Sequence, residues 1–310
     1  MRSNRVGVIG LGIMGSAISA NLVKAGFSVC GYDVLAARRA ALKRAGGSPA
    51  ASGGDVAKSA SVIVTSLPSA EALAEISVEL SAAGRAGQIV IETSTLPIDP
   101  KQAARKRLAA RGITLLDCPL SGTGAQARTR DLVVLASGGS SAYRKCVPVF
   151  EGFARAHYLI GPFGDGSKMK FIANLLVAIH NVAAAEAMVL GMKSGLDPAQ
   201  VLKVIADGAG TSRMLEVRGP MMVKGDYSKA TMKIAVWQKD MKIIADYARA
   251  VNCPTPLFVA SAPFYTAAMA MGRGDEDTGA VCAVLEQMAR ARRRPTHGGR
   301  KLGKSKSVQQ

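Results

Sequence analysis

One short stretch limits this chain more than any other. Val6-Gly-Val-Ile-Gly-Leu-Gly-Ile-Met-Gly15 places glycines at 10, 12 and 15, after a β-like apolar run and ahead of an amphipathic segment over 13–25. In that setting each glycine has its own task. Gly10 permits a tight turn, Gly12 lets backbone approach a pyrophosphate, and Gly15 lets the helix pack closely on the strand. The helix N-terminus offers its free N–H groups to the phosphates. Asp33 closes the next β-like run eighteen residues after Gly15, where a carboxylate accepts both ribose hydroxyls and repels a 2′-phosphate. The stretch reads as a dinucleotide site that favours NAD. Arg38 and Arg39 follow closely, so NADP is not excluded. FAD and S-adenosylmethionine sites share the fingerprint, and the rest of the chain must separate them.

β-like runs at 5–10, 28–32, 61–66, 88–92, 114–117, 132–137 and 156–160 alternate with helical segments. Such alternation predicts an α/β Rossmann-type half with a mostly parallel, doubly wound sheet. The pattern changes after Gly161-Pro-Phe-Gly-Asp-Gly166. A long apolar helix is expected over 168–194, stopped by Gly195, and Asp197-Pro198 starts another as N-cap and first-turn proline. The expected domains are 1–162 for the nucleotide, an all-α part over 163–290 for substrate and oligomerisation, and a basic tail over 291–310 without core-forming residues.

The formal net charge is +18, and eight basic residues with no acid lie from Ala289 onward. Such a field attracts anionic cofactors and acids, and binds nucleic acid only non-specifically through the tail. The five cysteines are widely spaced and contain no C-x-x-C, which fits neither a disulfide framework nor a zinc site and indicates a reducing cytoplasm. The longest apolar stretch, 171–192, is interrupted by Asn174, His180, Asn181 and Glu186, which favours a buried helix over a membrane span. His157, His180 and His297 lack metal-ligand spacing, so no metal is expected.

Several further segments occur in a fixed order: Asn21-Leu-Val-Lys-Ala-Gly26, Leu67-Pro68, Thr93-Ser-Thr-Leu-Pro97, Asp117-Cys-Pro-Leu-Ser-Gly122, Gly164-Asp-Gly-Ser-Lys-Met-Lys170 with Asn174, and Lys239-Asp240. With the glycine-rich loop they resemble the β-hydroxyacid dehydrogenase family over nearly the whole chain, from about Val6 to Glu286. The resemblance implies an NAD(P)-dependent oxidoreductase acting on the 3-hydroxyl or 3-oxo group of a small carboxylic acid. It implies a homo-oligomer, dimer or tetramer. It assigns catalysis to Lys170 with Asn174, and substrate binding to Ser121, Gly122 and Thr123. To the cofactor it assigns Gly10, Leu11, Gly12, Ile13, Met14, Gly15, Asp33, Leu67, Pro68, Thr95 and Lys239.

Chemistry supports the assignment of Lys170 independently. When hydride leaves a carbinol carbon, the hydroxyl proton must reach a nearby base. A lysine serves if burial or neighbouring positive charge lowers its pKa toward neutrality. Lys170 opens a strongly apolar helix, and Asn174, four residues on, shares its face. A lone lysine ordinarily snorkels to water; the surrounding motif is what turns the reading to catalysis. Tyr143 and Tyr227 have no lysine four residues later, so the Tyr-x-x-x-Lys dyad is missing. The family commonly has glycine where Thr123 stands, another near Arg130, and an aromatic where Met232 stands; these departures reshape the pocket wall. Two alternatives remain: a non-enzymatic nucleotide-sensing or nucleic-acid-binding relative, and an imine reductase of the same architecture. Lys170 argues against both.

Overall fold

The computed structural model describes residues 4–291 and 293. The basic tail expected over 291–310 lies outside these residues, apart from Ala291 and Arg293. Six parallel strands lie side by side: β3 (Ser48–Pro49), β2 (Ser28–Tyr32), β1 (Arg5–Ile9), β4 (Val62–Thr65), β5 (Ile89–Glu92) and β6 (Thr114–Asp117). β1 is central, and the strand order turns back beside it, which opens a crevice at the C-terminal edge. Beyond β6 lies β8 (Val133–Ser137), antiparallel to it, which also pairs antiparallel with β7 (Leu120–Ser121) and parallel with β9 (Ala156–Gly161). Seven of these nine strands match the expected runs. β3 and β7 hold two residues each, too few to show a period.

Helices α1 (Ile13–Lys24), α2 (Ala36–Arg44), α3 (Gly53–Ser59), α4 (Ala70–Ala83), α5 (Ile98–Ala109), α6 (Gly124–Arg128) and α7 (Ser140–Phe153) link the strands. Their apolar faces cover both sides of the sheet. Val8 packs with Leu22 and Phe150 on one side, and Ile9 packs with Ile63 and Leu80 on the other. Burial on both faces is why β1 reads as a continuous apolar run rather than an alternating one.

The second half is helical: α8 (Asp165–Lys193), α9 (Pro198–Ala206), α10 (Arg213–Lys224), α11 (Ile234–Ala250), α12 (Pro256–Ala270) and α13 (Val281–Met288). Asp197 caps α9, accepting from the Ala199 N–H, with Pro198 in the first turn. α8 is long and apolar enough to cross a membrane, yet here it is the axis against which α9 to α13 pack. Two of its polar interruptions, Asn174 and Asn181, have side-chain partners. The Asn181 amide donates to the Tyr265 hydroxyl at 3.2 Å, and that hydroxyl donates to the Ala178 carbonyl at 3.0 Å.

The two halves meet around a buried ion cluster. Lys101 of α5 is fully buried, with Nζ at 2.7 Å from Glu92 and 2.8 Å from Asp117. It also donates to the Ser94 carbonyl at 2.7 Å. Asp117, ending β6, accepts from the Ser167 N–H and hydroxyl, both at 2.8 Å, in the first turn of α8. Gly166 lets this turn dock, because a Cβ there would lie 2.3 Å from the Leu135 carbonyl oxygen. Burial alone would favour a neutral Lys101 amine; the Glu92 and Asp117 carboxylates outweigh it and raise its pKa above the ordinary lysine value. Removing one member of such a cluster strands the others without water. Lys101→Ala is expected to lower the unfolding free energy by about 3–5 kcal/mol in urea titration. A loss below about 1 kcal/mol, the scale of an exposed ion pair, would show that the cluster does not hold the halves together.

Candidate active site

The glycine loop sits at the C-terminal edge of β1. Gly10 has φ of +86°, and a Cβ there would lie 2.1 Å from the Ser66 carbonyl oxygen. At Gly15 it would lie 1.8 Å from the Gly10 oxygen. Gly12 differs: the nearest atom to a Cβ would be Arg38 Nη1, at 4.0 Å. Backbone there faces open space, as a cradle for pyrophosphate requires. Gly12 is also the N-cap of α1 and brings no side-chain cap, so the first-turn N–H groups of Ile13 and Met14 stay available to an anion. These features fit a dinucleotide.

Asp33 is buried at the end of β2 and braces this loop. One carboxylate oxygen accepts from the Leu11 N–H at 2.8 Å, the other from the Leu35 N–H at 2.9 Å. Arg38 stands 3.2 Å from the first oxygen, and Arg39 donates to the Asp33 carbonyl at 2.6 Å. Leu67 and Pro68 follow β4, and Thr95 follows β5, so all lie along the same edge of the sheet. The Leu67 N–H donates to the Ser94 hydroxyl at 2.8 Å.

A cavity of about 420 Å³ opens between the halves. Ser121, Gly122 and Thr123 line it from the β7–α6 turn, and Lys170 and Asn174 line it from α8. Five residues that sequence reasoning put at one site are therefore together. Thr123 N-caps α6 and forms a capping box with Gln126, whose side-chain oxygen accepts from the Thr123 N–H at 3.0 Å. Met232 also lines the wall. Thr95 and Lys239 are not among the lining residues. Instead Lys239 Nζ donates to the Thr95 carbonyl at 2.7 Å, which ties α11 to the sheet edge.

Lys170 is only 8% exposed. Burial lowers its pKa to about 8; the Asp240 carboxylate pulls it up, and the Lys239 ammonium pushes it further down. Asp240 receives the Asn174 amide at 3.0 Å and lies 3.4 Å from Lys239. Burial raises the pKa of Asp240, against Lys239, Lys170 and Asn174, which favour its charged form. Sequence reasoning gave Asp240 no role of its own. The signal was present: Ile234, Trp237, Met241 and Ile244 form the buried stripe of α11, and Asp240 sits within it. Gln126, Asp131, Arg155, Arg213 and Arg218 also line the cavity and were missed; nothing in local periodicity marks them.

Two family models match the chain. The NAD binding domain of 6-phosphogluconate dehydrogenase matches residues 5–161, and the NAD-binding region of NADP-dependent 3-hydroxyisobutyrate dehydrogenase matches 164–285. An L-threonate dehydrogenase from Cupriavidus necator is 35% identical, over 91% of this chain and 96% of that protein. A 2-(hydroxymethyl)glutarate dehydrogenase from Eubacterium barkeri is 29% identical, over 93% and 96%. The crystal structure of a 3-hydroxyisobutyrate dehydrogenase from Salmonella typhimurium superposes with a TM-score of 0.82 at 31% identity, over 90% of this chain and 99% of that one. The chain belongs to the β-hydroxyacid dehydrogenase family. It is an NAD(P)-dependent dehydrogenase built as a Rossmann-type half followed by a helical half. These relatives favour neither the non-enzymatic reading nor the imine reductase.

The charges around Lys170 make a prediction independent of turnover. Asp240→Asn removes the one carboxylate that raises the lysine's pKa. The variant's Lys170 is expected to titrate below about 8, as read from its ε-carbon by NMR. An unchanged or higher pKa would show that Asp240 does not act on this amine.

Proposed function

We propose that this chain moves a hydride between NAD and the 3-hydroxyl, or 3-oxo group, of a small carboxylic acid, with Lys170 as general acid and base. The observation that carries this reading is a buried amine of pKa about 8 in the same cavity as the 121–123 turn. The relatives' names support it, since L-threonate and 2-(hydroxymethyl)glutarate are small hydroxylated acids. Residues 1–162 hold the cofactor and 163–290 supply the proton-transferring group. Gly10, Leu11, Gly12, Ile13, Met14 and Gly15 take the pyrophosphate, Asp33 takes the ribose, and Leu67, Pro68, Thr95 and Lys239 flank the nicotinamide end. When bound, the cofactor accepts hydride in oxidation and donates it in reduction.

The protein's own groups do the rest. The Ser121 and Thr123 hydroxyls and the Gly122 N–H grip the substrate carboxylate. Neutral Lys170 takes the hydroxyl proton during oxidation, and its ammonium returns a proton to the forming alkoxide during reduction. Asn174, held by Asp240, orients the same oxygen. We further read the protein as a cytoplasmic dimer or tetramer. The exposed side chains of Ile172 and Leu176 on α8 offer an apolar face to a second copy. Any nucleic-acid contact would be non-specific, through the basic tail.

Lys170→Ala is expected to reduce turnover by about 10²–10⁴-fold while cofactor affinity stays near normal, because the phosphates and ribose are held by the other half. Near-normal turnover of the best substrate would refute the mechanism. The pH profile has a defined sign. Oxidation needs the neutral amine, so its rate rises with pH and levels off above about 8. Reduction needs the ammonium, so its rate falls through the same value. For the cofactor, fluorescence titration should show NADH binding more tightly than NADPH, because Asp33 faces the 2′-phosphate. Equal or tighter NADPH binding would assign Arg38 to that phosphate instead.

A further inference from the structure

We propose that the cavity holds a second anion subsite, built on Arg218 and Arg213, that takes the distal carboxylate of a hydroxydicarboxylic acid. This rests on the hydroxyacid reading and adds a substrate class to it. The length of the cavity is the first observation. Lys170, Asn174 and Val177 all line it, at positions i, i+4 and i+7 of one helix, a rise of about 10 Å. A four-carbon acid gripped by the 121–123 turn, with its hydroxyl at Lys170, uses one end of that length.

Arg218 forms another part of the wall, with its side chain only 2% exposed. Its Nε donates to Asp277 at 2.9 Å. Its Nη1 points at the Met214 sulfur, 2.8 Å away. A thioether is a weak acceptor, and a buried guanidinium served so poorly carries a desolvation cost. Asp277 has little left to offer. Its other oxygen already accepts from the Thr231 N–H, the Thr231 hydroxyl and the Met232 N–H at 2.7, 2.8 and 3.2 Å.

Arg213 stands at the mouth of the same cavity. Its Nη2 is 3.8 Å from Asp131, too far for a hydrogen bond. Its other partner is Glu216 at 3.0 Å, an exposed pair that water and salt loosen easily. Asp131 is committed elsewhere: it accepts from Arg155 at 2.9 Å and from Gln126 at 3.0 Å, and these bonds lower its pKa and keep it charged. An arriving carboxylate displaces the flexible Met214 side chain and accepts from both guanidinium groups, which bind planar anions well. A single negative charge balances Arg213. A phosphate dianion would set surplus charge against Asp131.

The test compares two unreactive acids of equal length, glutarate and pentanoate, titrated calorimetrically into the enzyme with its cofactor bound. Glutarate is expected to bind about tenfold more tightly, the scale of one charge-assisted contact. Arg213→Gln, at an exposed position, should remove most of that preference. Arg218→Lys keeps the charge beside Asp277 but loses the fork, and should remove it as well. Loss in either variant supports the subsite. No preference in the unaltered enzyme, or a preference untouched in both variants, overturns it. Turnover separates this from the underlying reading. If no hydroxy acid is oxidised while glutarate is preferred, the subsite stands and the hydroxyacid function falls. If monoacids turn over and glutarate has no advantage, the reverse holds.

Discussion

The position of Lys170 depends on an ion pair that never meets the cavity. Asp117 holds the first turn of α8 through the Ser167 N–H and hydroxyl, and Lys170 follows one turn later. Lys101 Nζ lies 2.8 Å from Asp117 and is its charged partner in this buried site. Glu92, at 2.7 Å, shares the same ammonium. Two buried acidic side chains share one lysine, and the Ser167 N–H at the start of α8 gives Asp117 a further donor. Apolar groups of equal volume would give similar stability, but they would not fix the direction in which the helix leaves the sheet. A 1 Å error there would be repeated at the amine one turn later, where the proposed proton transfer demands hydrogen-bond reach.

The lysine itself sits in a balance of unequal terms. Full burial without a partner would drive its pKa far below neutrality, and a close ion pair would raise it above the ordinary value, as at Lys101. Lys170 falls between the two. Asp240 favours the charged amine but spends part of its charge on Asn174 and Lys239. The outcome, about 8, places both protonation states within reach of physiological pH, as the proposed acid–base role requires.

What sequence could show follows from the range of the interactions. The glycine loop, Asp33 and the 28–32 run are local features, and their geometry follows from residues close in the chain. Lys170 and Asn174 are legible because helix periodicity puts them on one face. Lys101 is not. It lies in a helix with Arg105, Lys106 and Arg107, a pattern that reads as a solvated surface. Its burial depends on carboxylates that two different strands bring together. Arg218 is similar: Asp277, which compensates it, lies 59 residues further along. Asp33 shows the opposite limit. Its place was legible, but its bonds to Leu11 and Leu35, and the Arg38 guanidinium beside it, were not.

The contacts that join the halves differ in their exposure to water. The Asp117–Ser167 bonds are buried and draw their strength from low dielectric. The Lys239 bond to the Thr95 carbonyl is half-exposed, with 38% of the lysine side chain open to solvent. The Asp131–Arg213 approach is exposed on the arginine side, at 64%, and too long to be a hydrogen bond. Attraction across it is screened by salt, whereas the buried contact is not. The cleft is therefore fixed at its root, beside Lys170, and loosely bridged at its mouth. That gradient would let a charged substrate of the proposed reaction enter and leave without disturbing the position of Lys170.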